Sequence, residues 1–457
     1  MRYLDRFDEM IKESISKEKW DTPKSLDERL ENTYESLNTI KSHKRFSLKI
    51  GVLVASIMML TITTALAANS ETVQNAINTV KNYFSSNTES RYSASKNSLE
   101  KFNDEVGITV EDKGIKITLD SLSADENFMN LFYTIESDKP IKISEKEMEM
   151  ISDIKDLSPC GNFTIGENHP VMKDCEVYFE SEYKVKAMAR LGLNNIEIKE
   201  NDKLVLELVR VLLVEGDWKI ETVLDKSKIQ PAIKSVRPNE HRIIKRNGID
   251  YDINIEKVSI SPLGNIITIK SNNKEIFTGF ALFDDKGESL DVLPTGVSGI
   301  GEIGSVNSFE FLKANKDTKY IKLVPVDKRS TRQYPEPIIK DIADLPVEFE
   351  RASSGSVIVE DIKSDKNTLK IKYRKKGLVH SDIGGAIFLD DDGNEIEPLY
   401  NEDKWYQIAV DREDNSYTAI VTSYNKECDY SKCTKVLMYP EYEYKLLEDQ
   451  AIIINLE

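Results

Sequence analysis

The chain has 457 residues, too many for a single core, and 40% of them are hydrophobic with only 20 Gly and 14 Pro, which excludes a disordered or fibrous protein. Its net charge of −17 repels phosphate backbones and anionic lipid surfaces, so nucleic acid is not an expected partner.

Residues 1–48 carry two helical patterns. Leu4, Phe7, Ile11 and Ile15 form one apolar stripe and Leu26, Leu30, Tyr34 and Leu37 a second. Between them Thr22 suits an N-cap and Pro23 the first helical position, just after Trp20. So short a segment cannot house an enzyme or an autonomous DNA-binding domain, and two amphipathic helices leave apolar surface that a partner's groove would cover. The sequence therefore predicts partner binding through Trp20, Pro23, Leu26, Leu30, Tyr34 and Leu37.

Residues 49–68, "KIGVLVASIMMLTITTALAA", hold no charge after Lys49. Nineteen helical residues span about 28 Å, close to a bilayer's hydrocarbon thickness. Ala65-Leu66-Ala67 has the spacing of an export-signal cleavage site, but the long segment before it favours an uncleaved transmembrane helix. Lys41, Lys44, Arg45 and Lys49 on its N-terminal side predict a single-pass cell-membrane protein with a cytosolic N-terminus and extracellular C-terminal domains. Beyond Lys49 the chain has 51 basic against 69 acidic residues, so the exterior part is acidic.

Residues 69–104 read as a juxtamembrane helix, marked by Val73, Ile77, Val80 and Phe84, followed by a Ser-rich stalk that serves as a plain spacer or, in a sharper reading, is open to a protease. From Gly107 the period becomes two, as in "GITVEDKGIKITLDSL" and "FMNLFYTIES". The same alternation restarts in "GIDYDINIEKVSIS" and in "SVIVEDIKS", predicting a mainly β ectodomain of tandem Ig-like β-sandwich modules over 105–238, 239–350 and 351–457. "GFALFDDKGESLDV" from Gly279 aligns without gaps on "GAIFLDDDGNEIEP" from Gly385, making the second and third modules siblings about 105 residues apart. Their acidic tips read as Asp-Gly turns ahead of calcium sites.

Cys160 with Cys175 and Cys428 with Cys433 form two local pairs that suit disulfides in an oxidising exterior, with zinc or unpaired thiols as alternatives. His43, His169, His241 and His380 are scattered, and no nucleophile elbow or phosphate loop is present, so neither an enzyme nor a cofactor is expected.

"WDTPKSLDERLENTYESL", the basic flank and single anchor, "VEDKGIKITLDSLSADENFMNLFYTIES" and "LLVEGDWKIETVLDKS" together resemble the family built on the domain of unknown function 4179, single-pass membrane proteins of Gram-positive bacteria. "GIDYDINIEKVSISPLGNIITI" is similar to the companion domain of unknown function 5643. The resemblance implies an anti-sigma-factor-like regulator that sequesters an extracytoplasmic-function sigma factor and senses an envelope ligand or a protease. The alternative is a cell-surface binding or structural protein whose modules contact cell wall or protein ligands.

Overall fold

Period-two alternation sends successive side chains to opposite faces of a strand, and each apolar face must meet another apolar layer. The computed structural model of the chain describes residues 79–457 except 87–89, 91, 93–94, 142–158, 195, 247, 273–276, 294–304, 329–335, 381, 384, 397–403, 424–427 and 442–443. Among the described residues two short helices, α1 (Thr79–Ser86) and α2 (Lys96–Lys101), precede the strands.

In the first module β1 (Asn103–Asp112), β2 (Ile115–Ala124) and β3 (Phe128–Ser137) form a meander, after which β4 (Cys160–Ile165) crosses to a second sheet. The strands β5 (Val171–Ser181) and β6 (Lys184–Gly192) return to the first sheet, giving the order β1-β2-β3-β6-β5. The second sheet is β4-β7-β8, completed by β7 (Lys203–Val211) and β8 (Val214–Val223). Ile117, Leu119 and Leu131 from one sheet and Leu204, Leu206 and Ile220 from the other share one core. Trp218 on β8 is fully buried and donates its indole N–H to the Ile115 carbonyl at 2.9 Å, tying the two sheets across that core.

The second module repeats this path. It comprises β9 (Lys234–Val236), β10 (Glu240–Arg246), β11 (Ile249–Ile260), β12 (Asn265–Ser271), β13 (Phe280–Phe283), β14 (Ser289–Leu290), β15 (Ser305–Phe311) and β16 (Tyr320–Lys328). The order β10-β11-β12-β15 matches β1-β2-β3-β6, and β13 beside β16 matches β4 beside β7. The segment β17 (Ile338–Asp341) leads into the third module. There β18 (Val347–Ala352), β19 (Gly355–Ser364), β20 (Thr368–Gly377), β21 (Ile387–Leu389), β22 (Lys404–Asp411), β23 (Ser416–Ser423) and β24 (Lys435–Met438) give the order β18-β19-β20-β23-β22 with β21 beside β24. The second strand of each module carries a bulge against its third at the same place, Leu119/Ser121, Ile255/Lys257 and Val359/Asp361, as expected of related units.

The slot on the far side of β7 is filled by its hairpin partner β8. The corresponding slots of the other two modules are filled crosswise. The strand that follows β16 in sequence, β17, pairs with β24 of the third module, Ile338 opposite Met438. The strands that follow β24, namely β25 (Tyr444–Leu446) and β26 (Ile452–Asn455), pair instead with β16 of the second module, Val326 opposite Leu446 and Leu323 opposite Ile452. The sequence shows these segments to be counterparts: Tyr334-Pro335-Glu336 recurs as Tyr439-Pro440-Glu441, about 105 residues on. The structure repeats too, since β17, the 3₁₀ turn Ile342–Asp344 and β18 correspond to β25, the 3₁₀ turn Glu448–Gln450 and β26. The siblings have exchanged edge strands. Ile452, Ile454 and Leu456 consequently sit in the second core with Ile253, Phe280 and Leu323, while Ile338, Ile342 and Leu345 pack on the third.

Three expectations are corrected. The first is the fold class: an immunoglobulin-like sandwich places its second and third strands in opposite sheets, whereas β1, β2 and β3 are neighbours in one sheet. The second is the single-pass cell-membrane topology. Among the described residues no helix is long and apolar enough to cross a membrane; α1, the longer, has eight residues, about 12 Å of rise against a hydrocarbon layer of about 30 Å. With it go the membrane and the sigma factor as partners. The stretch 49–68 and the cytosolic helices of 1–48, with Trp20, Pro23, Leu26, Leu30, Tyr34 and Leu37, lie outside the described residues.

The third correction concerns the Ser-rich stalk. Tyr83, Phe84, Tyr92 and Leu99 pack against Phe128, Phe132 and Met188, which is why β3 is buried on both faces. Tyr83 and Ser90 each donate a hydroxyl to Glu176 at 2.6 Å. One aromatic and one leucine, spaced to fall on a single patch, dock a segment whose composition alone reads as a tether.

The exchange makes a prediction for Ile454, which is 2% exposed. Ile454→Ala costs about 3 kcal/mol of stability. Amide exchange then accelerates in β13 and β16, over a hundred residues away, while acceleration confined to β24 would contradict the exchanged pairing.

Candidate functional site

The three modules meet around a single carboxylate. Arg190 on β6, Glu310 on β15 and Arg412, in the turn after β22, belong to different modules. Arg190 Nη2 donates to Glu310 Oε1 at 2.9 Å, while Arg412 donates through Nε to Oε1 at 2.6 Å and through Nη2 to Oε2 at 3.1 Å. The Arg190 and Glu310 side chains are 3% and 6% exposed, so the charges are nearly dry. Arg190 also donates to the Leu263 carbonyl at 2.9 Å and lies 3.9 Å over the Phe128 ring. Burial raises the Glu310 pKa, but the two guanidiniums outweigh it and hold the carboxyl below its usual range.

This approach requires Gly264. Its φ is +153°, and a β-carbon there would lie 2.6 Å from Glu310 Oε1 and 2.9 Å from Arg190 Nη2. The turn that carries it is pinned to the first module by Asp125, fully buried, which accepts the N–H groups of Asn127 and Phe128 at 2.8 Å and of Leu263 at 2.7 Å. Asn127 returns a bond to the Gly264 carbonyl at 2.8 Å.

A second node joins modules two and three. Asp291 accepts Lys313 Nζ at 2.8 Å and the Tyr417 hydroxyl at 3.0 Å. Lys313 Nζ also reaches the Lys375 carbonyl at 3.0 Å, and its backbone N–H donates to Asn415 Oδ1 at 3.0 Å. Tyr417 stacks on Tyr373 with ring centroids 5.1 Å apart.

Between the nodes lies a cavity of about 250 Å³ lined by all three modules and by Tyr92 of the docked segment. Lys173, Arg190, Lys375 and Arg412 face Asp174, Glu310 and Asp382 across it, with His380 among the lining groups. Tyr92 donates its hydroxyl to Asp174. Lys375 is 8% exposed; its ammonium lies 3.5 Å from the Val379 carbonyl and 5.3 Å from the centre of the Tyr417 ring, and burial lowers its pKa. The lining is polar, with charges of both signs. Among the described residues no group of three or more His, Cys, Asp or Glu is placed to hold a metal.

Among the described residues, His380 alone of the side chains singled out in the sequence lines this cavity. Cys160 opens β4, and Cys175, on β5, is buried. Cys428 and Cys433 are both buried in the third core on either side of the 3₁₀ turn Tyr430–Lys432. Cys433 is a thiol whose Sγ lies 3.7 Å from the Lys435 carbonyl, and burial pushes its pKa up to about 11. The acidic tips are turns: Asp284 Oδ1 accepts the N–H groups of Lys286 and Glu288, and Asp390 Oδ1 that of Asn394, with Gly287 and Gly393 at φ of +82° and +83°. The residues that matter most, Arg190, Glu310 and Lys375, were missed. For Arg190 and Glu310 the signal is a lone charge inside an apolar strand pattern, as in "AMARLGL" and "SFEFL"; Lys375, inside "KYRKKG", carries no such signal.

Two family matches bracket this junction. Residues 42–137 match the family described as Domain of unknown function (DUF4179), and residues 233–350 match the Family of unknown function (DUF5643). Glu310, Asp291 and Gly264 fall within the second match and Asp125 within the first. Neither match carries an anti-sigma-factor relationship. No curated protein matches the chain. One solved structure, the conserved domain protein from Bacillus anthracis, is 13% identical with a TM-score of 0.37, covering 78% of this chain and 92% of that one.

Glu310 sets a pH dependence. Because its folded pKa lies below the ordinary 4.5, the stabilisation it provides is complete above that value and is lost as pH falls through the lower folded one. Glu310→Gln is expected to lower stability at pH 7 by about 2–4 kcal/mol, since it leaves two buried guanidiniums without a counter-charge. Urea midpoints at pH 7 and pH 3.5 check this: the wild type loses more stability than the variant on acidification, and parallel losses would contradict the assignment.

Proposed function

We propose that this protein is a cell-surface binding and structural protein, in which tandem β modules act as one body and contact cell-wall polymer or a protein ligand. The observation that supports this reading is the cavity at the junction: it belongs to no single module, so whatever occupies it touches all three at once. Such an arrangement suits recognition, because the binding geometry is set before the ligand arrives and little ordering is required on association. The exchanged strands and the Glu310 clasp serve the same end. The body is not catalytic in this reading.

Full-length protein mixed with purified Gram-positive wall sacculi is expected to co-sediment saturably. Arg412→Ala, which opens the junction, reduces the bound fraction at least tenfold. Absence of saturable sedimentation would remove wall polymer as the ligand, and an Arg412→Ala variant that binds normally would move the contact away from the junction.

A further inference from the structure

Asn127, in the turn between β2 and β3, and Lys257, on β11, meet across the boundary between the first and second modules. Lys257 Nζ donates to Asn127 Oδ1 at 3.2 Å. Both side chains are buried, Asn127 completely and Lys257 to 4% exposure. Each is held from its own side. Lys257 is fixed by the β11 ladder, opposite Thr268 of β12. The Asn127 carboxamide is oriented by its own Nδ2, which donates to the Gly264 carbonyl at 2.8 Å and so turns Oδ1 toward Lys257. Its backbone is pinned too: the N–H donates to Asp125 at 2.8 Å, and the carbonyl accepts the Leu193 N–H at 2.8 Å. An amine held at hydrogen-bond distance from a fixed carboxamide, away from water, has a reactive geometry that free solution supplies only rarely. Charges of both signs act on the amine. Burial lowers the Lys257 pKa, Glu126 and Asp125 oppose that and Arg237 adds to it, with a net shift toward the free amine. Asp125 is fully buried, and burial outweighs the hydrogen bonds it accepts and raises its pKa toward the range in which a carboxyl can take up and return a proton.

We propose that Lys257 and Asn127 form an intramolecular amide cross-link that joins the first two modules covalently. Lys257 gives up one proton, and the Nζ lone pair forms a bond to Asn127 Cγ. The Cγ–Nδ2 bond then breaks as a second proton passes from Nζ to Nδ2. Ammonia leaves and takes up the first proton as ammonium. One carbon–nitrogen bond forms for the one that breaks, so neither an oxidant nor a cofactor is needed. Asp125, in the same turn as Asn127, relays the protons. A cavity of about 360 Å³, lined by Lys257, Glu126 and Arg237 among others, gives the ammonia space to leave. The bond lies beside the Gly264 turn and would lock the approach on which the Glu310 clasp depends. It stands independently of any ligand at the junction cavity.

Intact mass spectrometry of the full-length protein, folded and then reduced and denatured, tests this. The chain is expected to be lighter than its sequence by one molecule of ammonia, and a tandem spectrum of the tryptic digest is expected to join the peptides that carry Asn127 and Lys257. Lys257→Met restores the full mass and separates the two peptides. Asp125→Asn, which keeps an oxygen for the turn's N–H groups, is expected to yield folded protein with most chains unlinked. Should either variant fold poorly, the wild type alone decides. A folded wild type with the full sequence mass would overturn the inference. So would an ammonia loss that persists in Lys257→Met or maps to the Asn127 peptide alone, since that marks closure of an asparagine onto its own backbone. A folded Asp125→Asn that links as completely as wild type would overturn the relay.

Discussion

The carboxylate of Glu310 is shared between guanidiniums from the first and third modules, and this sharing fixes where three otherwise separate cores sit. A nearly dry ion triad is poor evidence for stability, because desolvation costs about as much as the charges regain. Its strength is directional. Arg412 binds both oxygens in a bidentate fork, Arg190 meets one of them from the other side, and neither geometry survives a shift of more than a fraction of an ångström. The turn at Gly264 can approach only because it lacks a side chain, so clasp and backbone have to be satisfied together.

Strand exchange reinforces the same constraint by a different route. A hairpin partner such as β8 returns directly to its neighbour, but β17 and the β25–β26 pair each cross to the sibling module. The exchanged segments are counterparts in sequence and structure, and each completes a core that belongs mostly to the other. Neither sibling can therefore bury its apolar edge alone, and their stabilities are joined through backbone hydrogen bonds as well as through charge. This linkage accounts for isoleucines at the extreme C-terminus that sit among residues of the second core.

Much of the β architecture was legible because strand periodicity is local: Ile117 and Leu119, or Leu369, Ile371 and Tyr373, announce a buried face by position alone. The turn chemistry of Asp284 with Gly287 and of Asp390 with Gly393 was readable for the same reason. The crossing of strands was not, since β17 and β25 would look identical whichever module they joined. Nor was the docking of Tyr92 and Leu99, whose burial the serines around them masked. The clasp was hidden most deeply. A single Arg or Glu in an apolar strand reads as an outward-facing position until its partner, more than a hundred residues away, is known.

The central claim is that one carboxylate couples the first module to the third. A double-mutant cycle on Arg190→Met and Arg412→Met, scored by equilibrium unfolding of the full-length protein, tests it most directly. The account predicts that the two losses fail to add by more than about 1 kcal/mol, because both guanidiniums bind Glu310 Oε1. Additive losses would show that the two modules are held independently, and the single junction would have to be abandoned.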